Sequence, residues 1–163
     1  LDKPSRPRNY SFVRLVEAWE ATGIGQVMVE RVGMDAVENY GIADIASPDL
    51  EPFSSVELRA LVEKPSPEDA RSDLAVLGRY ILPAKVLDLL SYTTVGVGGE
   101  IQLTDALDML IKEGGLNAFE TDAAIYDCGS KQGFLGANLA IGLRDPDTRL
   151  YLEKFFGKNI TFP

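Results

Sequence analysis

The sequence contains few of the residues on which metal-binding and disulfide-stabilised proteins depend. It has no histidine and one cysteine, Cys128, so an internal disulfide is excluded. A zinc site is disfavoured because cysteine and histidine are its usual ligands. Any metal would be held by oxygen atoms, which favours Mg²⁺. A single cysteine is also typical of a reducing compartment and predicts a cytoplasmic location.

Long apolar runs and excess positive charge are also missing. No run of about 18 apolar residues occurs, so no membrane-spanning helix is predicted. The chain has 16 lysines and arginines against 25 aspartates and glutamates, which argues against nucleic acid or an anionic membrane as partner. The start is charged, contains prolines and does not resemble a signal peptide. It has no initiator methionine, which is consistent with a start inside a longer protein.

The 163 residues are 45% apolar, which is enough for the core of one domain or of part of a larger one. Apolar spacing and turn residues predict a helix that begins near Ser11 and ends before Gly23, and another that begins at Pro83. Further helices are predicted up to about Glu113 and at residues 131–142 and 146–156. Strands are predicted at residues 26–32, 42–45, 57–62, 74–82, 116–120 and 124–127, the last two as a hairpin or an adjacent pair. This irregular alternation predicts a mixed α/β fold.

The stretch Leu-Val-Glu-Lys-Pro at residues 61–65 is the first candidate for chemistry. Two apolar residues end a predicted strand, and Glu63 and Lys64 follow at its carboxyl end, where open α/β sheets bind ligands. A carboxylate accepts hydrogen bonds from two sugar hydroxyls, and a lysine is a point cation suited to phosphate. The pair therefore fits a sugar phosphate, although a surface ion pair at a strand end is the commoner meaning of such a sequence.

A glycine-rich loop at Gly96, Gly98 and Gly99 suggests a phosphate site only superficially. A dinucleotide-binding fingerprint would need a third glycine at position 101, where Ile101 stands, and no Walker lysine follows. A plain hinge or lid is the favoured interpretation of this loop.

Asp127 is predicted to end a short strand and precedes Cys128 and Gly129. In that place it either ligates Mg²⁺ or forms a turn or helix cap, and the local sequence alone favours the turn or cap. Cys128 is predicted to be a small buried residue, since no histidine is present to activate its thiol. Two further residues are ambiguous: Gly41 either admits a ligand close to the backbone or forms a turn, and Tyr80 either stacks on a sugar or belongs to the core.

Five motifs in order resemble one family, the bacterial UTP–glucose-1-phosphate uridylyltransferases, within the wider sugar nucleotidyltransferases. The match covers the chain from about Ser11 to about Arg144. The motifs are Tyr-Gly-Ile-Ala-Asp (40–44), Val-Glu-Lys-Pro (62–65), Leu-Ala-Val-Leu-Gly-Arg-Tyr (74–80), Gly-Glu-Ile-Gln-Leu-Thr-Asp (99–105) and Tyr-Asp-Cys-Gly-Ser-Lys (126–131).

The resemblance implies a three-layer α/β/α fold around a mixed sheet, and it implies the conversion of UTP and glucose 1-phosphate into UDP-glucose and pyrophosphate with Mg²⁺. No covalent intermediate forms, so the protein supplies positioning and charge neutralisation. By similarity, Glu63 holds sugar hydroxyls, and Lys64 binds the sugar-side phosphate as the catalytic lysine. Gly41 approaches the sugar through its backbone, and Val76 and Tyr80 line the sugar pocket.

By the same similarity, Asp127 is the second metal-site aspartate, and a homo-oligomer is expected. The sequence departs from the family in lacking its opening glycine-rich nucleotide loop and first metal aspartate. Residues 1–163 therefore resemble the C-terminal, sugar-binding part of the domain, without the nucleotide-binding part and inactive alone. A stand-alone sugar-phosphate-binding or oligomerisation module is the alternative. Asp73 stands where relatives tend to have asparagine, so its role is open.

Overall fold

The computed structural model describes residues 10–47, 50–95, 101–121 and 123–156. The chain divides into two compact units, Leu1–Ala123 and Ala124–Pro163. The predicted hinge or lid at Gly96, Gly98 and Gly99 lies outside the described residues.

Among the described residues, the first unit contains the sheet and three α-helices. In chain order its elements are α1 (Tyr10–Thr22), β1 (Gly25–Arg31), a short 3-10 turn (Val37–Asn39), β2 (Gly41–Ile45), β3 (Ser55–Glu63), β4 (Leu74–Ile81), α2 (Lys85–Tyr92), α3 (Leu103–Lys112) and β5 (Leu116–Glu120). The second unit contains α4 (Lys131–Gly142) and α5 (Pro146–Phe156). The α/β class is confirmed, and so are the predicted helices and five of the six predicted strands. Ser11 lies inside the first turn of α1 instead of capping it.

The five described strands form a mixed sheet in the order β1-β4-β2-β3-β5, which closes into a barrel. β1 runs parallel to β5 and antiparallel to β4, while β3 is antiparallel to both β2 and β5. The contact of β2 with β4 is narrow, because only Ile42 and Ala75 are paired there. The strand pairing therefore places the beginning of β2 beside the end of β3 and the first half of β4.

Strand alternation determines which residues enter the main core. Val27 and Val29 of β1 point to one face and pack with Leu107 and Leu110 of α3. Met28, between them, points to the other face, where it packs against Leu15 of α1 and Phe119. Both faces of β1 are therefore covered, and burial on two sides explains the unbroken apolar run Val-Met-Val at its centre.

The strand predicted at residues 124–127 is wrong. β5 already pairs with β1 along one edge and with β3 along the other, so a hairpin partner following it directly has no free edge to bond. Residues 123–127 are half-buried or exposed and belong to no described strand.

No helix within the described ranges combines the length and the apolar character needed to cross a bilayer.

Candidate functional site

Three neighbouring strands bring the predicted sugar-site residues together. Gly41 begins β2 and is paired in register with Glu63, the last residue of β3. A Cβ atom placed on Gly41 would lie 3.2 Å from Glu63 Oε2 and 3.9 Å from Cβ of Val76 on β4. Glu63 and Val76 lie 22 and 35 positions after Gly41 in the sequence, yet all three residues meet. The reason is that antiparallel pairing sets the start of one strand against the end of the next.

These residues line an open depression whose empty volume is about 480 Å³. Four of the predicted substrate-binding residues lie in its wall: Gly41, Glu63, Val76 and Tyr80. The remaining lining residues were not predicted for the site: Leu61, Val62, Gly78 and Thr104. The fifth predicted residue, Lys64, adjoins the wall through Glu63 and is mostly exposed. The pocket combines apolar walls with a few polar groups, as small-molecule sites generally do.

A bulge in β4 shapes one wall of the pocket. Val27 and Val29 of β1 are two residues apart, yet their partners Tyr80 and Val76 are four residues apart. The additional residues of β4 include Gly78, which has φ +63°, a conformation that costs other residues free energy. The glycine inside a strand pattern was the sequence signal for this bulge.

The Glu63–Lys64 pair is weak as an ion pair. Lys64 Nζ lies 3.8 Å from Glu63 Oε1, and the two side chains are 61% and 59% exposed. Exposed pairs of this kind contribute little to stability, with a typical value of about 0–1 kcal/mol. Both groups are therefore available to a ligand at little cost to the fold.

The backbone at Lys64 is strained. Lys64 has φ +48°, which is uncommon for a residue other than glycine, and it precedes Pro65, which further restricts its backbone. Its N–H donates to the Tyr40 carbonyl at 2.9 Å, and Pro65 is buried. These contacts hold a bend that costs about 1–3 kcal/mol, and such strain tends to cluster at ligand-binding positions.

Tyr80 is electrostatically linked to Glu63. Burial of the phenol raises its pKa above 10.0, and the nearby Glu63 carboxylate raises the pKa further because it opposes a second negative charge. At neutral pH Tyr80 is therefore a protonated hydroxyl that can donate a hydrogen bond.

This linkage predicts a loss of stability at high pH. Since folding raises the pKa of Tyr80, its contribution to stability is complete below pH 10.0 and is lost as the pH rises through the folded-state value. We expect Tyr80→Phe to reduce the decline in the free energy of unfolding above pH 10.0, measured by urea denaturation from pH 7 upward. Tyr92→Phe, at an exposed position, is the matched control. Identical alkaline slopes for the two variants would contradict the linkage.

Asp73 is engaged away from the pocket. Its carboxylate accepts a hydrogen bond from Arg31 Nη1 at 2.9 Å, and Nε of the same guanidinium donates to buried Glu120 at 3.1 Å. Asp73 thus ties the start of β4 to the ends of β1 and β5, and the open question about its role has a structural answer.

In the second unit, Asp127 lies in a turn and does not end a strand, so that part of its prediction is wrong. Its Oδ1 accepts from the N–H of Gly129 at 2.8 Å, while Ser130 caps α4 by accepting from Gly133 at 3.0 Å. This is the turn interpretation of Asp127. Cys128 was predicted to be buried and is exposed, because it lies in the same turn outside any core.

Within the described ranges no three acidic, histidine or cysteine side chains are grouped closely enough to hold a metal ion. Asp127 has one carboxylate oxygen beyond the turn bond and supplies at most part of a ligand set. Its metal role stays a prediction.

Comparison with known proteins supports the resemblance found in the sequence. A family model described as nucleotidyl transferase matches residues 8–142. UTP–glucose-1-phosphate uridylyltransferase of Haemophilus influenzae is 44% identical over 130 residues, which are 80% of this chain and 44% of the relative. The enzyme of that name from Escherichia coli K12 is 40% identical over 134 residues, covering 82% of this chain and 44% of its own length.

Solved structures of similar fold point to the same group of enzymes as the sequence relatives. A UTP-bound UGPase from Acinetobacter baumannii is similar with a TM-score of 0.82 at 35% identity, covering 93% of this chain and 50% of that one. A UDP-glucose pyrophosphorylase complexed with UDP-glucose has a TM-score of 0.76 at 33% identity, and the match covers 86% of this chain and 52% of that one.

The chain spans about half the length of the curated relatives it matches. A chance match of unrelated motifs is excluded by this agreement of sequence and structure. Because the family model covers most of its residues, the chain belongs to the nucleotidyl transferase family.

Proposed function

We propose that residues 1–163 form the C-terminal, sugar-binding part of a nucleotidyltransferase domain. The whole enzyme would form UDP-glucose and pyrophosphate from UTP and glucose 1-phosphate. The observation that carries the proposal is the registered pair of Gly41 and Glu63 in the wall of the pocket. The names of the relatives, uridylyltransferases at 36–44% identity, support the choice of substrates.

The pocket wall matches the chemistry of a hexose. The Glu63 carboxylate accepts from hydroxyls, and Gly41 presents bare backbone because a side chain there would press on Glu63 Oε2. Val76 packs beside them, and Tyr80 offers both an apolar ring and a hydroxyl. The sugar ring can therefore be held by hydrogen bonds to the hydroxyls at its edge and by apolar contact with its face.

Lys64 is the proposed partner of the sugar's phosphate and thus the catalytic lysine. Its ammonium is exposed beside the pocket, and its long contact with Glu63 is readily exchanged for a phosphate oxygen. In the reaction a phosphate oxygen of glucose 1-phosphate attacks the α-phosphorus of UTP. The bond between the α-phosphorus and its bridging oxygen breaks, and pyrophosphate leaves. Glu63 and Gly41 orient the sugar, and Lys64 offsets charge on its phosphate.

Nucleotidyltransferases of this kind typically use a divalent metal ion. We propose Mg²⁺, with the Asp127 carboxylate oxygen that does not bond Gly129 as one ligand, because a carboxylate is a donor that Mg²⁺ prefers. The ion would neutralise phosphate charge when bound. The other ligands would be water and groups of the enzyme that lie outside this chain.

Asp127→Asn tests that role in an enzyme whose C-terminal half is this chain. The amide oxygen can still accept from Gly129, so the turn should persist while the charge is removed. We expect lower turnover, a higher Mg²⁺ concentration for half-maximal rate, and an unchanged melting temperature. Asp145→Asn is the matched control, since Asp145 bonds Thr148 at the start of α5 in the same unit. An unchanged Mg²⁺ requirement in Asp127→Asn would remove the metal role.

The sheet offers a place for the remaining half of the enzyme. β4 pairs with β1 along its length but with β2 only through Ile42 and Ala75, so most of its second edge carries no described strand. An open edge is a template for another strand. We propose that the nucleotide-binding part covers this edge. For the whole enzyme we also propose a homo-oligomer and a cytoplasmic location.

A chimera tests the proposed function. The N-terminal half of the E. coli relative is joined to this chain, and UDP-glucose formation from UTP and glucose 1-phosphate is measured with Mg²⁺. We expect product formation that depends on both substrates. A folded, soluble chimera that binds UTP but makes no UDP-glucose would contradict it.

A further inference from the structure

One edge of β3 is not covered by any described strand at the end that reaches the pocket. β5 pairs with β3 only at residues 55 to 57, whereas β3 continues to Glu63. On its other edge β3 pairs with β2 as far as Glu63. The backbone groups that point away from β2 near the pocket therefore need partners other than the described strands.

The register shows which N–H group points to the uncovered edge. The Lys64 N–H donates to the Tyr40 carbonyl at 2.9 Å. This bond lies just outside the Gly41–Glu63 pair, so these two residues form a pair without hydrogen bonds between them. The two kinds of pair alternate along an antiparallel ladder, so the pair that contains Leu61 is of the same kind. The N–H of Leu61 therefore points away from β2.

Asp108 of α3 is the partner of this N–H group. α3 packs against β3, and the half-buried Asp108 carboxylate accepts a hydrogen bond from the Leu61 N–H. Leu61 lies in the pocket wall and packs against the main core. One side chain of α3 therefore holds the backbone of β3 two residues before Glu63 and three before Lys64.

The charge of Asp108 does not stabilise the fold. Burial raises the pKa of Asp108, Lys112 and the Leu61 N–H lower it, Asp105 raises it, and the net direction is upward. Because folding raises the pKa above 3.8, the contribution to stability is full below that pH and is lost as the pH rises through the folded-state value. An amide of the same shape avoids this cost and still accepts from the Leu61 N–H. Asp108→Asn therefore separates the hydrogen bond from the charge.

We propose that Asp108 is a positioning residue for the sugar-phosphate site, which rests on the proposed function. It is not among the residues that line the pocket, and it acts by holding the end of β3 so that Glu63 and Lys64 face the ligand. The strained backbone of Lys64, with φ +48°, relaxes more readily when the preceding residues are released. Without the bond a smaller fraction of molecules has the binding arrangement, and the apparent Kd rises in inverse proportion to that fraction.

Equilibrium titration of the 163-residue chain with glucose 1-phosphate tests this role. Asp108→Ala removes the acceptor, and we expect the Kd to rise by about 3- to 10-fold. Asp108→Asn should keep the Kd within about 2-fold of the parent value, because its amide oxygen replaces the carboxylate oxygen. Asp105→Ala, at an exposed position one turn earlier in α3, is the matched control. Alanine favours a helix more than aspartate does, so both alanine variants should retain α3.

Hydrogen exchange of the backbone amides, followed by NMR in the same variants, measures the bond itself. The Leu61 amide should exchange about 3- to 10-fold faster in Asp108→Ala than in the parent chain. In Asp108→Asn it should exchange at the parent rate. The Val62 amide is the internal control, because the register directs its N–H toward β2.

A Kd for glucose 1-phosphate that Asp108→Ala leaves unchanged would overturn the positioning role. Equal losses in Asp108→Asn and Asp108→Ala would overturn it as well, because the charge and not the hydrogen bond would then matter. A parent chain that binds no glucose 1-phosphate would overturn the proposed sugar site together with this role. The parent titration alone reveals that failure, whereas a failure of the Asp108 role leaves binding by the parent chain intact.

Discussion

The 163-residue chain alone is expected to release no measurable pyrophosphate from UTP and glucose 1-phosphate with Mg²⁺. Its sequence has no glycine-rich loop with a following lysine, and it spans about half the length of its curated relatives. The pocket among the described residues offers groups that can bind a sugar, and the Lys64 ammonium lies beside it. None of these groups has been identified as a site for a nucleoside triphosphate. Since enzymes accelerate such reactions by at least about 10⁶-fold, the expected loss is complete within assay limits.

A coupled pyrophosphate assay at high chain concentration measures this directly. The complete E. coli relative at the same molar concentration is the positive control. Glucose 1-phosphate-dependent release by the purified chain would show that the nucleotide also binds here, and the division of the active site between two halves would be wrong.

The second large effect concerns Lys64 and Glu63 in the chimera with the E. coli half. A lysine–phosphate contact contributes about 1.5–3 kcal/mol, so Lys64→Ala should lower kcat/KM for glucose 1-phosphate by about 10- to 150-fold. Because Lys64 is exposed and its ion pair is long, the melting temperature should change little. Lys85→Ala is the matched control, since Lys85 pairs with Glu113 and lies outside the pocket wall.

Glu63→Gln should act differently from Lys64→Ala. The amide keeps one acceptor and gains a donor, so hydroxyls remain bonded but their orientation is less strictly selected. We expect the ratio of kcat/KM for glucose 1-phosphate over galactose 1-phosphate to fall more than the rate with glucose 1-phosphate itself. If both variants kept the parent kinetics, Glu63 and Lys64 would be only a surface ion pair.

Local signals in the sequence were sufficient for most of the elements. The apolar spacing that predicts the helix ending near Glu113 matches the buried stripe of α3 at Leu107, Leu110 and Ile111. β3 ends at Glu63, two residues before Pro65. These features depend on contacts within a few residues, or on burial that leaves a periodic trace in the sequence.

Strand pairing was the information that the sequence did not contain. The register that sets Gly41 opposite Glu63 depends on which strands are neighbours. The error at residues 124–127 has the same cause, since an apolar run forms a strand only if an edge is open to it. Thr104 was not predicted for the pocket, because the approach of α3 to the pocket is a tertiary contact. The placement of Gly41, Val76 and Tyr80 came from the family resemblance, and their roles stay predictions.

The most direct test of the sugar site is an NMR titration of the isotopically labelled chain with glucose 1-phosphate, followed through its assigned backbone amides. We expect the largest concentration-dependent shifts at the amides of Gly41, Glu63, Lys64, Val76 and Gly78. Glu63→Gln should reduce these shifts, and UTP at the same concentration should not produce them. No shift at these residues, or shifts confined to α4 and α5, would contradict the claim that this chain carries the sugar-phosphate half of the active site.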